Sequence, residues 1–216
     1  MATTTAASKT RSKSSSKSGA GASRKKNDAK SGGVAALVGK AADAVVGMFT
    51  PSSETNAISL LKTDHDTVQK MFDKVKASPN RDHKETFKKI KLELDTHAHI
   101  EETIFYPHLM KKGDKELKKI VREGLQEHAQ VKMFLRSLSR MTNGKSENFK
   151  AKLQVLMEDV EHHVKEEEND MFPLVEDQIP SEKLEALGAI MKAEKNKFKK
   201  RRTRSAANKP TAAAAS

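Results

Sequence analysis

The sequence predicts an all-α protein, an up-down-up-down four-helix bundle built from two helical-hairpin repeats, with a short C-terminal helix and disordered basic tails. Three observations carry this. From residue 53 onward apolar side chains recur at helical spacing, and the alternation of a half-buried strand is absent. Turn signals cut that stretch into four long segments joined by short connections, which fold most simply as antiparallel neighbours. Residues 97–107, HAHIEETIFYP, and 163–173, HVKEEENDMFP, share one pattern, so the domain reads as one hairpin written twice.

The first helix runs from about Glu54 to Ala77 on the stripe Ile58, Leu61, Val68, Phe72 and Val75, and Ser78-Pro79-Asn80 stops it. The second covers about Asp82 to Lys112 on Phe87, Ile90, Leu94 and Ile104, ending at Gly113. The third spans about Asp114 to Met141 on Leu117, Val121, Val131, Leu135 and Leu138, followed by the turn Asn143-Gly144. The fourth runs from about Ser146 to Gln178 on Phe149, Leu153, Leu156, Val160 and Leu174. Pro107 and Pro173 are expected to end or kink their helices. A fifth helix, about Ser181 to Lys199 with Leu184, Leu187 and Ile190, packs outside the bundle.

Outside the bundle the composition changes. The chain of 216 residues carries a net charge of +12, yet residues 1–30 hold +7 and residues 192–216 hold +8, leaving −3 for the middle. The division is therefore a basic tail over 1–32, a short apolar helix and linker over 33–52, the bundle over 53–179, the accessory helix over 180–199 and a second basic tail over 200–216. Tails of Ser, Ala, Lys and Arg cannot form a core and are expected to be mobile. They offer Lys25, Lys26, Lys199, Lys200, Arg201 and Arg202 to nucleic acid or another polyanion, or serve only to solubilise the ends. The apolar run Gly33–Phe49 is broken by Lys40 and Asp43 and is too short for a bilayer. With no transmembrane segment and no secretory leader read, the cytoplasm is the default compartment.

The bundle's apolar stripes are interrupted in a regular way. His65 sits between Leu61 and Val68, and His128 between Gly124 and Val131. His97 and Glu101 follow Leu94, and His163 and Glu167 follow Val160. Each long helix thus points one histidine inward, and two add a glutamate one turn later, roughly 40° further round the helix. Burying six such groups costs several kcal/mol apiece unless something pairs them. A multivalent cation pairs them all. The chain has no cysteine, so histidine and carboxylate must hold any metal. Two metals bridged by Glu101 and Glu167 is the natural stoichiometry for two repeats. His83, His99, His108 and His162 fall off the stripe and read as solvated or supporting residues. Glu102, Glu127, Glu166 and Glu168 read either as partners for the inward histidines or, for most of them, as a solvated acidic face, and Tyr106 as packing or redox chemistry in equal measure.

These residues resemble the hemerythrin-type HHE cation-binding domain over about residues 54–195. The resemblance implies a non-haem di-iron centre, two Fe per chain, with terminal His65, His97, His128 and His163 and bridging Glu101 and Glu167. It implies a protein that binds or senses a diatomic ligand, O2 or NO, or handles iron under oxidative or nitrosative stress. Oxygen carriers of the family have a further histidine one turn before the third-helix ligand, where this chain has Gly124, and an aspartate in the last helix, where it has Glu167. Those departures point away from reversible oxygen transport. Gly124 is expected either to leave room for an exogenous ligand or to serve close helix packing. The alternatives are a di-iron oxidoreductase or peroxidase-like enzyme, and a nucleic-acid-associated protein acting through its tails. Oligomeric state is not legible.

Overall fold

The computed structural model describes residues 56–207. The tail over 1–32, with Lys25 and Lys26, the expected short helix over 33–52 and residues 208–216 lie outside them. Every element among the described residues is helical: α1 (Ala57–Lys76), α2 (Lys84–Ile100), a π turn (Glu101–Phe105), α3 (Tyr106–Lys112), α4 (Lys115–Arg140), α5 (Glu147–Glu166), a second π turn (Glu167–Met171), α6 (Phe172–Gln178) and α7 (Ser181–Ala207).

Local chemistry sets the helix starts. Asn56, Asp114 and Ser146 each turn a side-chain oxygen onto a free amide of the first turn, at Ile58 (2.9 Å), Leu117 (2.8 Å) and Phe149 (3.3 Å). Before α2 the work is divided. Asp82 accepts from the Lys84 amide at 2.9 Å, and His83 donates its Nε2 proton to the Ser78 carbonyl at 2.8 Å. His83 is therefore buried and structural, contrary to its solvated reading. The α4–α5 turn presses onto the same corner. A Cβ on Gly144 would stand 2.2 Å from Asp82 Oδ1 and 2.8 Å from the Lys84 amide nitrogen, so only glycine fits.

Pro107 and Pro173 do not end their helices, which continue to Lys112 and Gln178. A π turn precedes each proline, and the ring enters the first turn of the new α segment, where its missing N–H costs little. The extra residue in the π turn also shifts the stripe. Ile104 and Leu174, expected in the core, are only partly buried, while their neighbours Phe105 and Val175 are fully buried.

The core is two apolar clusters with a polar layer between them. One gathers Ile58 and Leu61 of α1 with Phe105, Tyr106, Leu117, Phe172 and the α7 residues Leu184, Leu187 and Met191. The other gathers Phe72, Phe87, Ile90, Leu135, Phe149 and Leu156 toward the opposite end. Helix α7 packs on α1 and α2. Its inward stripe is Leu184, Leu187, Met191, and Ile190, expected inward, is 56% exposed.

The second basic tail does not begin at residue 200, because α7 continues to Ala207. Its inner face stays anchored there. Lys195 pairs with Asp64, Lys199 with Glu93 at 2.5 Å and Arg202 with Asp95 at 3.5 Å, while the Arg202 guanidinium covers the Phe198 ring. Lysine and arginine are good helix formers, so once one face is tied down the run stays helical.

Candidate metal centre

The four stripe histidines and two glutamates meet in the polar layer, each with 6% exposure or less. All four imidazoles aim Nε2 inward. His65 and His97 approach at 3.3 Å and His128 and His163 at 3.0 Å. Glu101 Oε2 lies 3.0 Å from His97 Nε2 and 3.3 Å from His128 Nε2, reaching both pairs. Glu167 Oε2 lies 3.2 Å from His65 Nε2 and 3.7 Å from His163 Nε2. Ligand-type atoms of His65, His97, Glu101 and Glu167 all fall within 4.8 Å of one another, as do those of Glu101, His128 and His163. These are two adjoining donor sets that share Glu101.

The outer ring nitrogens meet carboxylates, in an arrangement that repeats between the halves. Nδ1 of His65 donates to Glu168 at 2.7 Å, and Nδ1 of His128 to Glu102 at 3.0 Å. In each case the acid next to one half's inward glutamate orients the other half's first histidine. Nδ1 of His163 donates to Glu127 at 2.7 Å, and Nδ1 of His97 faces Asp64 at 3.7 Å. Here the acid preceding the first histidine serves the second histidine of its own half. Such carboxylates fix the tautomer that presents Nε2 inward and raise its basicity as a ligand. Of the four acids with two readings, Glu102, Glu127 and Glu168 thus orient imidazoles, and Asp64, which faces His97, was missed. The signal was available in the doubled pairs Asp64-His65 and Glu127-His128, and in the two Glu-Glu steps. The fourth acid, Glu166, stays at the surface against His162. His99 serves packing, stacked on Phe198 and bonded to Glu194.

This donor set fits a cation. Both oxygens of Glu101, Oε2 of Glu167, Oδ2 of Asp64 and Nδ1 of His97 are buried with no hydrogen-bond partner among the described residues. Orphaned buried oxygens of this kind are costly, and a metal ion satisfies them. Four imidazoles with two carboxylates suit iron, manganese or zinc. Protons compete for the same atoms. Burial pushes His97 and His128 down, but Glu101, aided by Asp64 at one and Glu102 at the other, outweighs it. His97 stands well above the ordinary imidazole value and His128 is raised to about 9. Burial raises Glu101, and His97 with His128 outweighs that and holds it well below the usual carboxylate range.

Gly124 sits where the sequence places it, beside the site, but its space is taken. A Cβ there would stand 3.0 Å from the Tyr106 hydroxyl and 3.5 Å from His163 Cε1. Tyr106 is buried, stacks on His128 with centroids 5.5 Å apart and donates to Glu167 Oε1 at 2.8 Å. Burial and the charges of Glu101 and Glu167 push its pKa well above the ordinary phenol value. Room lies elsewhere, in a cavity of about 20 Å3 that reaches all four histidines and is otherwise lined by Val68, Leu94, Ala98, Val131, Val160 and Val164 beside Asp64. That is space for about one water-sized molecule, in apolar surroundings.

The expected polyanion contacts on α7 are mostly spent. Lys199, Arg201 and Arg202 pair with Glu93, Glu194 and Asp95, leaving Lys200 of that set without an acidic partner among the described residues. No described helix is long and apolar enough to cross a membrane.

A solved structure of a hemerythrin HHE cation binding domain-containing protein from Mycobacterium kansasii matches 73% of this chain and 95% of its own, with 27% identity and a TM-score of 0.62. A DNA nickase of Nostoc sp. is 26% identical over 172 residues, 78% of this chain, which spans about half that protein's length (47%). The family described as hemerythrin HHE cation binding domain matches residues 56–175, more than half of the chain and the whole ligand-bearing bundle, and the chain belongs to that family.

Proposed function

We propose that the bundle is a non-haem di-iron protein, two Fe per chain, that binds a diatomic ligand, O2 or NO, as a sensor or as part of the response to oxidative or nitrosative stress. The observation that carries this is the meeting of six inward donors, with orphaned oxygens on Glu101 and Glu167, beside a small apolar-walled cavity that the four histidines line. His65, His97, His128 and His163 would be terminal ligands and Glu101 and Glu167 the bridges. Bound iron supplies redox change and coordination positions for small molecules. The chain's own part is to fix that ligand set. Glu168, Glu102 and Glu127 orient the imidazoles of His65, His128 and His163, and the valine-lined cavity admits small neutral molecules while disfavouring ions. The test is metal analysis and absorption spectroscopy on natively purified protein. Two irons per chain and stoichiometric spectral change on adding NO to the reduced form support the reading. Catalytic consumption of peroxide with no stoichiometric adduct favours the di-iron oxidoreductase instead.

A second reading, contact with nucleic acid, has one observation of its own. Beyond its anchored face, α7 presents exposed Lys197, Lys200 and Arg204 on its outer side, and the Nostoc relative is named for action on DNA. Phosphate contact by such a face is sequence-independent and falls steeply with salt. Reversing all three charges to glutamate should abolish a gel shift with duplex DNA while iron content stays unchanged. An undiminished shift places any such contact elsewhere.

A further inference from the structure

The inward donors of the two halves match residue for residue, but the aromatic residue that follows each inward glutamate does not. Tyr106 stands five residues after Glu101, and Phe172 stands five residues after Glu167. Their rings occupy matching places, Tyr106 stacked on His128 and Phe172 stacked on His65 with centroids 6.0 Å apart and planes 4° from parallel. Only one carries a hydroxyl. Facing them, four residues before the first histidine of each half, are Gly124 beside Tyr106 and the fully buried Leu61 in the other half. Glycine at 124 is what makes room, since even one carbon there would press on the hydroxyl at 3.0 Å.

The hydroxyl has a directional consequence. It donates to Glu167 Oε1 at 2.8 Å, whereas neither oxygen of Glu101 has a hydrogen-bond partner among the described residues. Glu167 is left with Oε2, which lies nearer His65 (3.2 Å) than His163 (3.7 Å). The donor sets come out unequal, His65, His97, Glu101 and Glu167 on one side against Glu101, His128 and His163 on the other.

We infer that Tyr106 is a positioning residue that makes the two metal positions inequivalent, by engaging one oxygen of Glu167 and leaving the other, which lies nearer His65 than His163, to serve both. The His128/His163 position then binds its metal second and more weakly, so it is the one that takes an exogenous ligand. The inference rests on the proposed two-metal reading. It uses the hydroxyl, not the ring, so Tyr106→Phe, which keeps the stacking on His128, isolates it.

The experiment is calorimetric titration of the metal-free full chain with cobalt(II). Wild type should load in two resolved steps, with His65→Ala removing the tight step and His128→Ala the weak one. In Tyr106→Phe the freed Glu167 oxygen should strengthen the second step about 10-fold, within the roughly 10–100-fold range of outer-partner effects, and draw the steps together. Gly124→Ala, which nudges the hydroxyl while keeping it, should fall between. Melting of the metal-free variants checks that each is folded. Two cobalt ions binding in one unresolved step in wild type, or two steps unchanged in Tyr106→Phe, would overturn the inference and leave the two-metal reading standing. Fewer than two cobalt ions bound by folded wild type would overturn both.

Discussion

Removing Glu127 tests whether the outer carboxylates do more than decorate the bundle. Glu127 Oε2 accepts from His163 Nδ1 at 2.7 Å, the shortest such contact together with that of Glu168. Its side chain is 26% exposed, so Glu127→Ala opens a space that water can enter rather than a dry cavity. What the variant loses is the hold on the imidazole's tautomer and direction. Partners of this kind are worth roughly 10–100-fold in metal affinity, or about 1.4–2.7 kcal/mol at about 1.4 kcal/mol per decade. Glu123→Ala, one turn earlier on the same helix and engaged only with exposed Lys119, is the control. Affinity is read by competition with a chelating dye. The gap between metal-loaded and metal-free melting midpoints gives a second reading in which any effect on the fold itself cancels. Contact lengths set an order: Glu127 and Glu168 cost most, Glu102 at 3.0 Å less, and Asp64 at 3.7 Å least for affinity. Unchanged affinity in Glu127→Ala, or an equal loss in Glu123→Ala, refutes the reasoning.

Other perturbations follow from the same geometry. His97→Ala should lose iron, whereas His99→Ala should keep it and instead loosen α7, whose Glu194 and Phe198 it holds; equal iron loss in both would put the wrong face of α2 inward. Metal must displace protons from His128, whose folded pKa of about 9 exceeds the unfolded ~6.5. In the metal-free protein that group's stabilisation is complete below pH ~6.5 and is lost as pH rises through about 9, while apparent metal affinity climbs across the same window. Metal titrations at pH 7 in buffers of different ionisation heat should therefore show proton release, and none would contradict the electrostatics. Val131→Phe fills the cavity from a wall that is 7% exposed, and should suppress NO binding with iron content intact. Iron loss in that variant would mean the valine wall shapes the ligand set itself.

The six inward donors were readable because a histidine or glutamate at a core position of an amphipathic helix breaks a periodic pattern, and the structure buries all six. What periodicity could not show is where the period changes. The π turns begin at the inward glutamates Glu101 and Glu167 themselves, and the first moves the buried position from Ile104 to Phe105. Nothing in a pattern of period 3.6 announces an inserted residue. Contacts between helices were equally hidden. Gly124 was legible as a missing side chain, but that the Tyr106 hydroxyl fills the space depends on how α3 packs against α4. The end of α7 eluded composition because Lys and Arg read the same in a free tail and in a helix pinned by Glu93, Asp95 and Phe198. The outer carboxylates were visible as acids, and only the antiparallel pairing decides that Glu168 belongs to His65 and Glu102 to His128.

The central claim, two irons held by His65, His97, His128, His163, Glu101 and Glu167, is tested most directly by anomalous diffraction at the iron edge from crystals of natively purified protein. The account predicts two peaks in the polar layer, one beside the Nε2 atoms of His65 and His97 and one beside those of His128 and His163, with Glu101 between them. No peak in that layer, or a peak only at the surface group of Glu127, His162 and Glu166, would contradict it.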